Sequence, residues 1–326
     1  MSVEPVLLEG VYLRSWLRPF APWLDRDDVT EIMVNRPGEL FIEVVGQPGM
    51  TRLAAPEIDD LLLERLAGQI ARMGAQAVNR QSPLLAATLP DGARVQMIGP
   101  PATRGHWAMA IRRHVVTDLP LEVYDQGPLP PPPTRAGPAE EEALARANPV
   151  GFLRQAVIDR RTILISGGTS SGKTTFLNSL LRIVPEAERI VLVEDTPEVA
   201  VSQPNVVGLV AVRGDEGEAR IGVDDLLQAA LRLRPDRVIV GEIRGREATT
   251  FLRAINTGHP GSFTTIHANT PEGALDQLAL MVMQSGLGLS RGETLAYAGS
   301  VIDIVVQLSR RGGQRGIADI RVLGRC

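Results

Sequence analysis

Apolar and polar positions follow two patterns along this chain, and the change between them divides it. In the first part, residues 31–34 and 40–44 are β-rich runs. Asn35-Arg36-Pro37-Gly38 between them is turn chemistry, so a hairpin is expected. Over 56–74 the period lengthens. Ile58, Leu62, Leu66, Ile70 and Met73 form one helical stripe, with Gly74 as a natural stop. Leu89-Pro90-Asp91-Gly92 is a second turn, and strands are expected at 94–98 and 108–112. Residues 1–117 therefore read as a small α+β domain.

Residues 118–148 change character. Pro128, the run 130–133 and Pro138 give an extended, semi-rigid interdomain linker, with a short helix at 140–146. From residue 149 the chain alternates. Helices are expected at 152–160, 174–184, 223–233, 247–256, 271–285 and 290–300. Strands are expected at 162–166, 189–193, 237–240, 262–266, 304–308 and 317–323. That alternation predicts an α/β domain over 149–326 built on a parallel sheet. A length of 326 residues suits two domains.

The chemistry concentrates in residues 162–175, TILISGGTSSGKTT. The apolar run Ile163-Leu164-Ile165 reads as a buried parallel strand, and a Gly/Ser loop then leads into a helix. Gly167, Gly172, Lys173 and Thr174 fit the phosphate-loop pattern G-x-x-x-x-G-K-[ST]. Glycines let backbone N–H groups wrap phosphates, and the helix points its positive end at them. Lys173 is placed to reach β- and γ-phosphates and Thr174 to hold Mg²⁺.

Composition sharpens this reading. Of 34 Lys plus Arg, Lys173 is the only lysine, so chance would place it at this position one time in 34. A compact ammonium on a thin stem fits an enclosing loop where a wide guanidinium does not. A net charge of −4 gives no global footprint for nucleic acid. The single cysteine, Cys326, excludes internal disulfides and multi-cysteine zinc sites. No apolar run approaches a membrane span, and no signal-peptide pattern opens the chain.

Three further patches sit at strand ends, where ligands bind in such sheets. Glu194-Asp195 closes one apolar strand. Glu242 follows Val238-Ile239-Val240, with Asp236 expected at the far end of that strand. His259 precedes a strand and His267 follows it. Singly, an acidic pair also suits a helix cap or solvated turn, and a lone His suits a structural hydrogen bond. Together, in this order after a phosphate loop, they resemble the Walker A, Asp box, atypical Walker B and His box of the secretion ATPase superfamily. The phrases VTEIMVNRPGELFIE, LPDGARVQ and AMAIRR are similar to the N-terminal domain of the traffic ATPases of type IV secretion and conjugation, the eleventh component in the VirB naming. The resemblance covers essentially the whole chain. It departs in the Pro-rich linker and in a loop reading TSSGKT where TGSGKT is commoner, with Ser171 standing for Gly and tolerable where its φ is not positive.

The resemblance implies an ATP hydrolase: a RecA-like P-loop catalytic domain preceded by a smaller α+β N-terminal domain, in a hexameric ring with nucleotide between the two domains. ATP would lie on Gly167, Gly168, Thr169, Ser170, Ser171, Gly172, Lys173, Thr174 and Thr175. Mg²⁺ would be held by Thr174 and, through water, by Glu242. Glu194 becomes the candidate for positioning the attacking water and His267 the γ-phosphate sensor. Arg94 and Arg112 match arginines that approach the terminal phosphate. The implied partners are other type IV secretion components at the inner membrane, with DNA or protein cargo handled indirectly. The expected location is cytoplasmic, peripheral to that membrane. The alternatives are a pilus-retraction or type II secretion motor, and a nucleotide-dependent assembly scaffold.

Overall fold

The computed structural model describes residues 13–113, 137–213, 220–312 and 314–324. Its N-terminal part is a six-stranded antiparallel sheet in the order β3-β2-β1-β6-β5-β4. The strands are β1 (Val29–Val34), β2 (Gly38–Val44), β3 (Met50–Ala55), β4 (Leu84–Thr88), β5 (Arg94–Ile98) and β6 (Ala108–Arg112). Helix α1 (Asp60–Met73) starts where the Asp59 carboxylate accepts the Leu62 N–H at 2.7 Å. Strand alternation feeds two cores. Ile32, Val34, Ile42, Met109 and Ile111 pack with Leu63, Leu66 and Ile70 of α1. Met33, Phe41, Ala108 and Ala110 point the other way, into a core shared with Leu209, Leu226 and Leu233 of the C-terminal part.

That C-terminal part follows as α2 (Pro138–Ala147), α3 (Pro149–Ile158), β7 (Ile163–Gly167), α4 (Lys173–Leu181), β8 (Ile190–Glu194), β9 (Val206–Val210), β10 (Val212–Arg213), β11 (Arg220–Ile221), α5 (Val223–Ala230), β12 (Arg237–Val240), α6 (Glu247–Asn256), β13 (Phe263–Ile266), α7 (Pro271–Gln284), α8 (Arg291–Val301), β14 (Ile304–Arg311) and β15 (Gln314–Val322). Seven strands form one sheet, ordered β15-β14-β7-β13-β12-β8-β9. Every neighbouring pair is parallel except β14 and β15. Ile163 and Ile165 face α3 and α4, whereas Leu164 faces the opposite layer, which holds α5, α6 and α7. Both faces are covered, which explains the nearly unbroken apolar strands.

The structure adds strands β3, β4 and β9 and the short pair β10 and β11 to those expected, and it revises the linker. The proline run lies outside the described residues. Residues 138–147 are no spacer: α2 is docked on the sheet. Ala145 is buried, and Glu142 Oε1 accepts the Val322 N–H of β15 at 3.1 Å. Among the described residues, no helix is long and apolar enough to cross a membrane.

The two sheets also meet through polar groups. Asn35 Oδ1 accepts from the fully buried Arg189 at 2.7 Å, and Asn35 Nδ2 donates to Asn205 at 2.9 Å. Arg234 Nε donates to Glu43 at 2.9 Å. Residues 102–104 run antiparallel along the outer edge of β9: Val210 N–H donates to Ala102 O at 3.0 Å, and Arg104 N–H to Gly208 O at 3.1 Å.

Candidate active site

The C-terminal ends of β7, β8, β12 and β13 open into one cavity of about 480 Å³. It is lined by residues 169–175, Glu194, Glu198, Glu242, Arg244, His267 and Arg315, among others. The loop between β7 and α4 follows the phosphate-loop motif. Gly172 takes φ +91° as the residue before α4, and a Cβ there would come within 2.9 Å of Arg315 Cδ. The serine that stands for the motif's second glycine is Ser170, not Ser171, and its φ is +61°. Ser171 is absent from the positive-φ residues and is buried. Gly168 lies where the loop faces Asn269 and Thr270.

Lys173 opens α4 and folds back into the loop. Its ammonium donates to Gly167 O at 3.1 Å and lies 3.3 Å from both ring nitrogens of His267. Burial pulls its pKa below the ordinary lysine range and Arg244 adds to that, while Glu242 opposes it. Phosphate oxygens entering the loop would hold the ammonium charged. His267 Nε2 is 2.9 Å from Glu242 Oε1, so the lysine, histidine and glutamate form one contiguous cluster. Glu242 Oε2 accepts twice from Arg244, at 2.6 and 2.9 Å, and Arg244 Nη1 lies 3.5 Å from Asp195.

Glu194, the last residue of β8, and Glu198, in the turn after it, differ in environment. Glu194 is 2% exposed, and both of its oxygens are engaged. Oε1 accepts the N–H groups of Glu198 and Val199, at 2.9 and 2.7 Å, while Oε2 meets Arg104 Nη2. The Glu198 carboxylate instead lies 3.4 Å from the Thr174 hydroxyl. Sequence reasoning passed over Glu198 and Arg315. The segment EDTPE contained the signal for Glu198, a second glutamate four residues after the first.

The oxygen donors of this site suit a hard divalent cation. Thr174, Glu198 and Glu242 supply them around the loop, and the buried Glu242 Oε1 makes no aligned hydrogen bond, its 2.9 Å approach to His267 Nε2 being an ion-pair contact.

Arg94 and Arg112 are not brought to this cavity. They line a second one of about 770 Å³, with Glu31, Arg160, Arg234, Asp236 and His259. That cavity sits at the opposite end of the parallel sheet, where Asp236 and His259 precede β12 and β13.

A family model described as Type II/IV secretion system protein matches residues 133–312. Type IV secretion system protein VirB11 of Bartonella henselae is 34% identical, with 93% of this chain and 91% of that one covered. Type IV secretion system protein PtlH of Bordetella pertussis is 38% identical, with 93% of each chain covered. The crystal structure of the VirB11 ATPase from the Brucella suis type IV secretion system, in complex with sulphate, superimposes with a TM-score of 0.89 at 32% identity. That match covers 97% of this chain and 96% of the other. With a phosphate loop, two acidic strand ends and a histidine converging on one cavity, this chain belongs to the Type II/IV secretion system protein family, in its type IV traffic ATPase branch.

Proposed function

We propose that this chain hydrolyses ATP as one subunit of a hexameric ring, powering assembly of a type IV secretion system or transfer of its substrates. The observation that carries the reading is the Lys173–His267–Glu242 cluster beside the loop, with Glu198 facing Thr174. Lys173 and the loop N–H groups bind the β- and γ-phosphates. Thr174, Glu198 and Glu242 would hold Mg²⁺, which when bound neutralises charge on the phosphate oxygens. His267, touching both Lys173 and Glu242, responds to the terminal phosphate. Because both Glu194 oxygens are engaged, we assign orientation of the attacking water to Glu198 and a bracing role to Glu194.

Arg94 and Arg112 line the cavity opposite their own phosphate loop, which supports their serving a neighbouring chain's site. The N-terminal domain (about residues 1–117), docked on its own catalytic domain, would then also reach the catalytic domain of the next subunit. The surrounding secretion components at the inner membrane would select the cargo.

Glu198→Gln and Glu242→Gln test the assignment. Each should keep ATP affinity within about threefold and lose about 100-fold or more in kcat, because a positioned carboxylate acts mainly in the transition state. Unchanged kcat in both would overturn the roles given to these carboxylates, and an unmodified chain that binds ATP without turnover would leave a nucleotide-dependent scaffold as the better reading.

A further inference from the structure

We propose that Arg104 is a positioning residue for hydrolysis, through which the N-terminal sheet holds the acidic turn of the phosphate site in register. The inference rests on the ATPase reading above. Arg104 belongs to the β5–β6 connection, 90 residues before Glu194 in sequence. Its backbone is fixed on the edge of β9 by the pairing of residues 102–104. Its side chain passes over Gly208, where a Cβ would come within 2.4 Å of Arg104 Cδ. Only glycine leaves that path open.

At the end of the path, one guanidinium nitrogen, Nη2, meets Glu194 Oε2 and also donates to Val199 O at 2.9 Å. Glu194 in turn accepts the N–H groups of Glu198 and Val199. The turn carrying Glu198 is thus braced from both sides, its amides by Glu194 and its Val199 carbonyl by Arg104. No other described N-terminal side chain reaches Glu194 in the hydrogen bonds and ion pairs of this turn. Displacing Arg104 frees the turn to shift Glu198 away from Thr174. A misplacement of about 1 Å near a reacting centre can cost about 100-fold in rate. Docking of the N-terminal sheet is therefore communicated to the hydrolytic carboxylate, although the arginine touches no nucleotide-loop residue.

An arginine that merely glued the two sheets together would affect melting temperature and leave kcat per folded subunit alone. The test uses the full chain and measures steady-state ATP turnover, the dissociation constant of a fluorescent ATP analogue, and the melting temperature. Arg104→Ala should lower kcat by about 10- to 100-fold while affinity changes less than about threefold. Arg104→Lys keeps a charge for Glu194 and should recover kcat to within about fivefold of the unmodified chain. Gly208→Ala leaves all three partners chemically intact, blocks the arginine's path, and should reproduce the kcat loss. If Arg104→Ala fails to fold, Gly208→Ala and Arg104→Gln carry the comparison. Unchanged kcat in the folded variants, or equal loss of affinity and kcat, overturns the proposal. An unmodified chain with no ATP turnover would instead overturn the ATPase reading, and is measured first.

Discussion

Replacing Glu31 by Gln should stabilise the protein above neutral pH and leave it nearly unchanged in acid. Glu31 lies on β1 opposite Arg112 of β6, with Arg112 Nε 3.5 Å from its carboxylate, and is 6% exposed. Burial pushes its pKa from 4.5 up to about 7. Arg112, Arg234 and Arg189 pull the other way, and Glu43 adds to the rise. Burial wins because the arginines only partly replace lost water. The folded protein thus binds this proton more tightly than the unfolded chain. The stability associated with it is fully present below pH 4.5 and is lost as pH rises through about 7. At 1.36 kcal/mol per unit, the shift corresponds to about 3 kcal/mol. Gln keeps the volume and never ionises, so it escapes this cost. About 3 kcal/mol corresponds to a melting-temperature gain of roughly 6–10 °C at pH 8, shrinking to about 1–2 °C at pH 4.5. Thermal unfolding of both proteins at the two pH values, in one salt concentration, measures it. An equal gap at both pH values, or a lower melting temperature for Glu31→Gln at pH 8, would refute the reasoning.

Two further outcomes follow from the site. Co-expressing Lys173→Arg with Arg112→Ala should restore about a quarter of normal turnover in mixed rings, although each variant alone is inactive, because one chain's intact loop then meets another's intact arginine. No recovery in verified mixed rings would mean the arginine serves its own chain. Gly172→Ala should weaken ATP binding by about tenfold or more, since it strains a φ of +91° and drives a methyl towards Arg315. Normal affinity measured with a fluorescent ATP analogue would contradict that.

Much of the fold was legible because its signals are local. The phosphate loop, the strands before it and after it, and the helix stripe of α1 are each written in consecutive residues. Strand β3 escaped because MTRLAA is half exposed and carries no clear alternation. Strand β9 escaped because Gly208 interrupts VVGLV, and that glycine serves Arg104 rather than the strand. Helix α2 read as linker because its acidic sequence buries little more than Ala145. The different surroundings of Glu194 and Glu198, on which their proposed roles rest, could not be read locally. It depends on an arginine arriving from the other sheet, and one apolar strand followed by EDTPE is compatible with either acid facing the loop. The direction in which Arg94 and Arg112 face was hidden for the same reason: sequence identifies the arginines, whereas the packing of one sheet on the other decides which cavity they line.

The most direct measurement is Mg²⁺-dependent ATP turnover by the full-length chain beside its Lys173→Arg variant, with circular dichroism to show that both are folded. Lys173 is the one lysine in the sequence, and its ammonium sits between Gly167 O and His267, where a guanidinium fork is too wide. The account predicts steady turnover by the unmodified chain and a loss of about 100-fold or more in Lys173→Arg despite the conserved charge. Comparable turnover by the two proteins, or none by the unmodified chain, would contradict it.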